Sequence, residues 1–233
     1  MLRDDGRILK FESQQLYCEL NGRYDSPSLR ELLANLDREI SAGGFHLFKD
    51  DKTTTVGYSS RDGIKLLIKR YNTKNAWHAV RRVFLRSRAQ NCFEMARLLR
   101  SIGVNTPAPI AYVEQRLGPL KGRSWFVSEF VEGPLCLDYI KQQACDRELN
   151  HIAGHFESLF RVLSQHRISH GDMKATNFVL RNNRYPWLID LDAMRQHSDD
   201  KTFSLACSRD RARFMKNWHD DQNINAYFEK LSW

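Results

Sequence analysis

Three polar residues lie at short intervals in the segment SHGDMKATNF, residues 169–178. Asp172 can accept the proton of a hydroxyl group, Lys174 can neutralise charge on a moving phosphoryl group, and the Asn177 amide can bind a metal ion. Phosphoryl transfer asks little more of a protein, because its catalysis consists mainly of positioning and charge stabilisation. Asp and Asn also favour ordinary turns, so the segment indicates this chemistry only if other residues complete the set.

Two residues elsewhere in the chain can complete it. Asp190 follows the apolar run PWLI, 18 residues after Asp172, and can be a second ligand for Mg²⁺, which prefers carboxylate and amide oxygens. Lys69 lies in the strand-like run LLIKRYN and can direct one cation to the phosphates of a nucleotide. Together the five residues predict a site for a nucleotide and Mg²⁺.

The periodicity of the chain predicts the elements that carry these residues. Short alternating runs predict strands at GFHLFKD, TTTVGYSS, IKLLIKRYN, IAYVEQRL and RSWFVSEFV, and a strand pair at FVLR and PWLIDLD. Amphipathic patterns predict helices over SPSLRELLANLDREISAGG, with a capping box at Ser28 and Glu31, over 75–102 in two segments, over 146–166 and over roughly 208–231. The chain is therefore predicted to be α+β, with a β-rich lobe over 1–132 and a reduced helical lobe over 133–233.

Composition is that of a soluble globular protein, with 42% hydrophobic and 27% charged residues. No apolar run approaches the ~18 residues that cross a bilayer. Acidic residues in MLRDDGRILKFES predict that no signal peptide is present. The five cysteines form no Cys-x-x-Cys motif, so reduced thiols and a cytoplasmic location are expected.

Positive charge is concentrated in one segment. Residues 65–100 contain ten Lys or Arg residues and one acid, Glu94, within a chain of net charge +8. This concentration favours an anionic partner such as phosphate groups, acidic lipid headgroups or nucleic acid. The alternative is a solvated helix face, and charge alone does not separate the two. No recognised nucleic-acid motif accompanies the charge, so no nucleic-acid partner is expected.

The order of the chemical residues resembles that of the protein-kinase-like superfamily. Asp-x-Lys-x-x-Asn at 172–177 is similar to its catalytic loop, and LIDLD at 188–192 stands where it has the Asp-Phe-Gly metal motif. Lys69 resembles its β3 lysine, and Glu94 in NCFEMARLLRSIG resembles the helical ion-pair partner of that lysine. The resemblance implies a compact bilobal protein-kinase-like fold with ATP and Mg²⁺ as cofactors.

The same resemblance implies where the nucleotide binds. FVSEFVEG, residues 126–133, is similar to the interlobe hinge, and the backbone from Glu129 to Val131 would meet adenine. The turn that covers the phosphates has no glycines and reads DDKTTTV, so the hydroxyls and backbone N–H groups of Thr53, Thr54 and Thr55 would do that work.

Within the superfamily, the chain resembles the Kdo/WaaP-type lipopolysaccharide core kinases. The similar segments are DKTTTVGYSS, LLIKRYN, RRVFLRSRAQNCFEMARLLRSIGVNTPAPIAYVEQRLG, HGDMKATNFVL and LIDLDAMR, within roughly residues 45–195. The resemblance implies ATP-dependent phosphorylation of a heptose or Kdo sugar of the lipid A–core precursor. It also implies peripheral contact with the cytoplasmic face of the inner membrane, and the anionic glycolipid suits a basic protein.

Two departures from regulated protein kinases refine this expectation. Gly171 stands where many of them have an Arg before the catalytic Asp, which implies no activation by loop phosphorylation. Only 41 residues follow Asp192, which implies a small or membrane-presented acceptor instead of a peptide. Two alternatives stay open: a small atypical protein kinase or ATPase that also uses His-Gly-Asp, and a catalytically silent pseudokinase scaffold at the membrane.

Overall fold

A computed structural model describes residues 6–72, 86–118, 120–142 and 145–233. The chain forms two compact units, one of Met1–Arg97 with Pro107–Phe130 and the other of Leu98–Thr106 with Val131–Trp233. The first contains a large antiparallel sheet and the second is mainly helical. This mixed architecture confirms the predicted α+β class and is consistent with a kinase-like bilobal fold. The predicted boundary lay after residue 132, and residues 98–106 were assigned to the first lobe.

The first unit is built around a seven-stranded sheet of order β1-β2-β6-β7-β5-β4-β3. Its strands are β1 Ile8–Glu12, β2 Leu16–Asn21, β3 His46–Asp50, β4 Thr54–Arg61, β5 Ile64–Tyr71, β6 Pro109–Leu117 and β7 Leu120–Glu129. Every neighbouring pair is antiparallel. The five strands predicted for this unit are confirmed, whereas β1 and β2 were not predicted.

One face of this sheet is covered by two short helices, α1 Pro27–Ala34 and α2 Leu36–Ile40. The prediction of one continuous helix was wrong, because the backbone leaves the helical region at Asn35. The predicted cap was also wrong: the Ser26 hydroxyl accepts the Leu29 N–H at 3.1 Å, and Pro27 occupies the first helical position that suits it. Four leucines, at 29, 32, 33 and 36, pack with the sheet in one hydrophobic core.

The opposite face of the sheet contacts helix α3, Arg88–Ser101. The Phe93 ring lies 5.4 Å from the Tyr112 ring of β6, and the Tyr71 hydroxyl of β5 lies 3.1 Å from the Cys92 sulfur. The first of the two helical segments predicted over 75–102 lies largely outside the described residues. Helix α3 therefore carries Glu94 beside the face that also bears Tyr71.

The second unit is organised around a long amphipathic helix. Its helices are α4 Cys136–Gln142, α5 Asp146–Gln165, α6 Asp200–Met215 and α7 Gln222–Phe228, with 3-10 turns at Ala175–Asn177 and Lys216–Trp218. Phe156 and Phe160 of α5 pack against Phe214 of α6 with ring centroids 5.0 and 5.3 Å apart. Two antiparallel strand pairs join β8 Ile168–Ser169 to β11 Arg195–Gln196, and β9 Phe178–Arg181 to β10 Tyr185–Leu188.

The predicted α5 is confirmed within one residue. The predicted strand pair is observed as β9–β10, but β10 ends at Leu188 and does not continue to Asp192 as predicted. The predicted last helix was only partly right, because α6 begins at Asp200, where the Asp199 carboxylate accepts the Thr202 N–H at 2.8 Å. All five cysteines are free thiols, as expected. Among the described residues, no helix combines the length and apolar character needed to cross a membrane.

Candidate active site

Asp172, Lys174 and Asn177 come together in one turn of the second unit. The Lys174 Nζ donates to Asp172 Oδ2 at 2.9 Å, and the Asn177 Nδ2 donates to the Asp172 backbone oxygen at 2.8 Å. The 3-10 turn Ala175–Asn177 makes this possible, because it folds the chain back within the five residues that separate Asp172 from Asn177. Asp172 is partly exposed, so its carboxylate is accessible to a substrate hydroxyl.

Asp190 is held next to this turn. The Ile189 N–H donates to the Asn177 backbone oxygen at 2.9 Å, which ties the two predicted metal ligands to each other through the main chain. Asp190 has φ +61°, in the left-handed region that Asp tolerates better than most residues, and it is exposed. Strain of this kind is typical of functional sites.

The donor set of Asn177 and Asp190 fits a hard divalent cation. Because the Asn177 amide nitrogen is directed to the Asp172 carbonyl, its Oδ1 points away from that carbonyl. An amide oxygen and a carboxylate are the protein ligands that Mg²⁺ takes when water and phosphate oxygens complete its shell. Within the described ranges, no three His, Cys, Asp or Glu residues cluster as a metal site, so a cage made wholly of protein ligands is not formed there.

The predicted catalytic loop, His170–Asn177, is anchored by Asp210 of α6, a residue that was not predicted from the sequence. Asp210 is 3% exposed, and its Oδ2 accepts the backbone N–H of His170 at 2.6 Å and that of Gly171 at 3.2 Å. The adjoining His170 imidazole is fully buried, and its Nδ1 accepts the Asp172 N–H at 3.3 Å. Burial lowers the pKa of His170, and this effect exceeds that of the negative charges of Asp210, Asp190 and Asp172, which raise the pKa. His170 therefore braces the loop as a neutral group.

Gly171 allows the loop to make this approach. It has φ +79°, and a Cβ at this position would lie 2.8 Å from the Ala193 backbone oxygen. A larger side chain would meet both the conformational penalty and this contact. The absence of a side chain before Asp172 is thus explained by packing within the second unit.

Arg213 of α6 also contacts the predicted catalytic loop and was not predicted from the sequence. Its Nη1 donates to Asp172 Oδ1 at 2.7 Å and to the Gly171 backbone oxygen at 2.8 Å. Together with Lys174 on Oδ2, it places one cation at each oxygen of the Asp172 carboxylate. No local motif could have revealed Asp210 or Arg213, because about 40 residues separate them from the loop that they contact.

Lys69 belongs to the first unit and is half-buried at the centre of β5. It lies opposite Val56 of β4 on one side and Phe126 of β7 on the other. Its Nζ lies 5.3 Å from the centroid of the Tyr71 ring, on the face of the sheet that contacts α3. The alternating pleat of the strand thus places the lysine on the same side as the Glu94 helix.

Glu94 makes its described contacts within its own segment. Its Oε2 lies 2.6 Å from Arg86 Nη1, and its Oε1 accepts from Gln90 Nε2 at 2.8 Å. An ion pair was expected for the single acid of this basic segment, and Arg86 is a partner that the sequence analysis did not name. Its pairing with Lys69 stays a prediction.

The turn predicted to cover the phosphates binds the carboxylate of its own Asp51. Asp51 Oδ1 accepts the Thr53 N–H and hydroxyl, each at 2.7 Å, and the Thr54 N–H at 2.8 Å. These bonds, led by that from the Thr53 hydroxyl, hold the pKa of Asp51 well below its usual range. Thr55 is buried, and its hydroxyl contacts Asp50 at 2.6 Å and Arg70 at 2.8 Å. A phosphate role for Thr53–Thr55 stays a prediction and would require these bonds to exchange.

The predicted adenine-binding backbone follows the last strand of the first unit. The Glu129 N–H donates to the Ala108 oxygen at 2.9 Å, and its carboxylate accepts the Tyr24 hydroxyl at 2.7 Å. Val131 is the first residue of the longer part of the second unit. The backbone therefore passes from one unit to the other between Glu129 and Val131, and adenine binding there stays a prediction.

Much of the basic segment 65–100 is engaged within the protein. Arg70 Nη1 lies 3.1 Å from Asp37, Arg86 pairs with Glu94, and Arg100 Nη1 donates to the Thr106 backbone oxygen at 3.1 Å. Lys74, Arg81 and Arg82 lie outside the described residues. Contact of this segment with an anionic partner stays a prediction.

The comparisons with known proteins agree with this chemistry. The lipopolysaccharide kinase (Kdo/WaaP) family matches residues 45–218, a span that includes all the predicted site residues, Asp210 and Arg213. No curated protein matched the chain. The resemblance inferred from the motifs is confirmed, and the kinase class makes the protein a phosphotransferase that uses ATP. Since the match covers well over half of the sequence, the chain belongs to the lipopolysaccharide kinase (Kdo/WaaP) family.

Proposed function

We propose that this protein transfers the γ-phosphoryl group of Mg-ATP to a hydroxyl of a heptose or Kdo residue in the lipopolysaccharide inner core. The family supports a lipopolysaccharide core acceptor, and the choice of sugar is part of the proposal. The acceptor is the lipid A–core glycolipid at the cytoplasmic face of the inner membrane, which the protein contacts peripherally.

The transfer forms one bond and breaks one bond. The sugar oxygen forms a bond to the γ-phosphorus, and the bond between that phosphorus and the β–γ bridging oxygen breaks to release ADP. Asp172 orients the sugar hydroxyl and takes its proton, which then passes to solvent. Lys174, 2.9 Å from the Asp172 carboxylate, neutralises negative charge on the transferring group.

The observation that carries this proposal is the convergence of Asp172, Lys174 and Asn177 in one turn with Asp190 tied beside it. A proton acceptor, a cation and two oxygen ligands are the groups that phosphoryl transfer requires of a protein. When bound by Asn177 and Asp190, Mg²⁺ neutralises charge on the nucleotide phosphates. Lys69, supported by Glu94, holds those phosphates, Thr53–Thr55 cover them, and the backbone from Glu129 to Val131 meets adenine.

The assay combines the full chain with ATP labelled at the γ-phosphate, Mg²⁺ and core-truncated lipopolysaccharides that have been dephosphorylated. We expect label on the core oligosaccharide, located on one sugar hydroxyl by mass spectrometry. Label on added protein in place of glycolipid would indicate the atypical protein kinase. ATP binding without transfer to any acceptor would indicate the silent scaffold.

Replacing Lys69 with Met is expected to raise the KM for ATP about 10- to 100-fold. The reason is the loss of one charge-assisted contact to a phosphate, which contributes about 1.5–3 kcal/mol. Initial rates at varied ATP and saturating acceptor measure the change. Lys10→Met is the matched control, because Lys10 is an exposed strand lysine that pairs with Glu19. An unchanged KM for ATP in Lys69→Met would remove Lys69 from the nucleotide site.

A further inference from the structure

Arg213 occupies a position beside the catalytic carboxylate that structural support does not explain. The pinning of the loop backbone is provided by Asp210, which is buried and accepts two main-chain N–H groups. The Arg213 and Asp172 side chains are 49% and 34% exposed, and ion pairs this exposed contribute little to folding. Stabilisation of the fold therefore does not account for Arg213 at this position, and the side chain can bind a ligand.

The guanidinium retains donors that can serve a ligand. Both bonds of Arg213 to the loop are made by Nη1, and among the described residues none accepts a hydrogen bond from its Nε or Nη2. Those two nitrogens form the planar fork that binds a carboxylate or a phosphate with two parallel hydrogen bonds. The bonds from Nη1 fix the direction in which this fork points.

Two more cations extend the same surface. Arg209 lies in α6, four residues before Arg213, and Lys216 begins the 3-10 turn that directly follows α6, three residues after Arg213. Helical spacing places the three cations on one face, and both Arg209 and Lys216 are exposed. Asp210 lies on this stretch too, but it is buried and bound to the loop, so it adds no accessible acid. We name Arg209, Arg213 and Lys216 the α6 cationic strip.

We propose that Arg213 binds an acidic group, a carboxylate or a phosphate, of the acceptor glycolipid beside the hydroxyl that receives the phosphoryl group. Its Nε and Nη2 take the acidic group while Nη1 stays on Asp172, so one side chain sets the distance between that group and the catalytic carboxylate. Arg209 and Lys216 add attraction for further acidic groups of the same molecule. This inference rests on the proposed function and names the acceptor chemistry for the same site.

The test is equilibrium binding of core oligosaccharides by calorimetry without ATP, so that the readout does not depend on turnover. The probes are an oligosaccharide with its acidic groups, a carboxyl-reduced form and a dephosphorylated form. We expect Arg213→Gln to weaken binding of the acidic oligosaccharide roughly 10- to 100-fold, with a smaller loss in Arg213→Lys. The wild-type protein should lose a similar factor when the recognised group is removed, and the form that shows the loss identifies carboxylate or phosphate.

Arg211→Gln is the matched control. Arg211 lies on the same helix and is exposed, and its one hydrogen bond to the described residues is to the Glu229 backbone oxygen, at 3.3 Å, so its substitution should leave binding unchanged. Equal binding by the wild type and Arg213→Gln would overturn the inference. So would an equal loss of binding in Arg213→Gln for all three oligosaccharide forms. If the wild-type protein transfers no phosphate, and its binding of the acidic oligosaccharide still depends on Arg213, the inference is preserved and the proposed function is refuted.

Discussion

Asp172→Asn is expected to lower kcat for phosphate transfer about 10²- to 10⁴-fold, the range typical of a lost general base. The substitution keeps the size of the side chain and the backbone oxygen that Asn177 contacts, but it removes the charge that lies between Arg213 and Lys174. ATP binding should persist, because nucleotide contacts are assigned to other residues. Initial rates and equilibrium nucleotide binding on the same preparation measure both effects.

The control for charge alone is Asp220→Asn. Asp220 is a nearly fully exposed acid of the second unit, and within the part of the chain that the structure describes its side chain pairs with the neighbouring His219 alone. Its substitution should leave turnover unchanged. Turnover of Asp172→Asn within a few-fold of the wild type would exclude Asp172 as the proton acceptor.

Asp210→Ala is expected to lower the free energy of unfolding by about 1–3 kcal/mol and to reduce kcat as well. The substitution removes the acceptor of the His170 and Gly171 N–H groups. The buried His170 donor left unsatisfied accounts for this cost, whereas the exposed Gly171 donor can bond to water. Without that anchor, the loop no longer holds Asp172 in one orientation. Denaturant unfolding of the full chain gives the stability change, and kcat at saturating substrates gives the catalytic change.

Asp210→Asn separates charge from hydrogen bonding at this position. The amide retains one oxygen that can accept a loop N–H, so its losses of stability and of kcat should be smaller than those of the alanine variant. Equal unfolding midpoints for the wild type and Asp210→Ala would show that the two loop bonds do not anchor the catalytic turn.

The parts of the fold that the sequence predicted are those with strong local patterns. Strands β3 to β7 have apolar residues bounded by turns, and α5 has a continuous apolar face, so their positions followed from periodicity. Strands β1 and β2 were not predicted, because charged and amide residues interrupt the alternation of apolar and polar residues in them. The first helix was predicted too long because the backbone break at Asn35 is a single-residue event within an otherwise helical pattern.

The same division applies to the candidate site. Asp172, Lys174 and Asn177 contact each other over intervals of two to five residues, and such intervals are readable in a sequence. Asp210 and Arg213 reach the loop only because α6 packs beside it, so their roles depend on tertiary structure. The Asp51 contacts to Thr53 and Thr54 are also local, but the prediction for that turn considered only its threonines and not the acceptor that binds them.

The segment that precedes the family match has a consequence for how the protein can be divided. Helices α1 and α2 and strands β1 and β2 all lie before residue 45, where the match begins. Their leucines share one core with Leu66, Ile68 and Val127 of the matched segment. A fragment that starts at residue 45 would leave this apolar face in water and end the sheet at β6. The segment that matches the family is therefore shorter than the segment whose apolar side chains build this core.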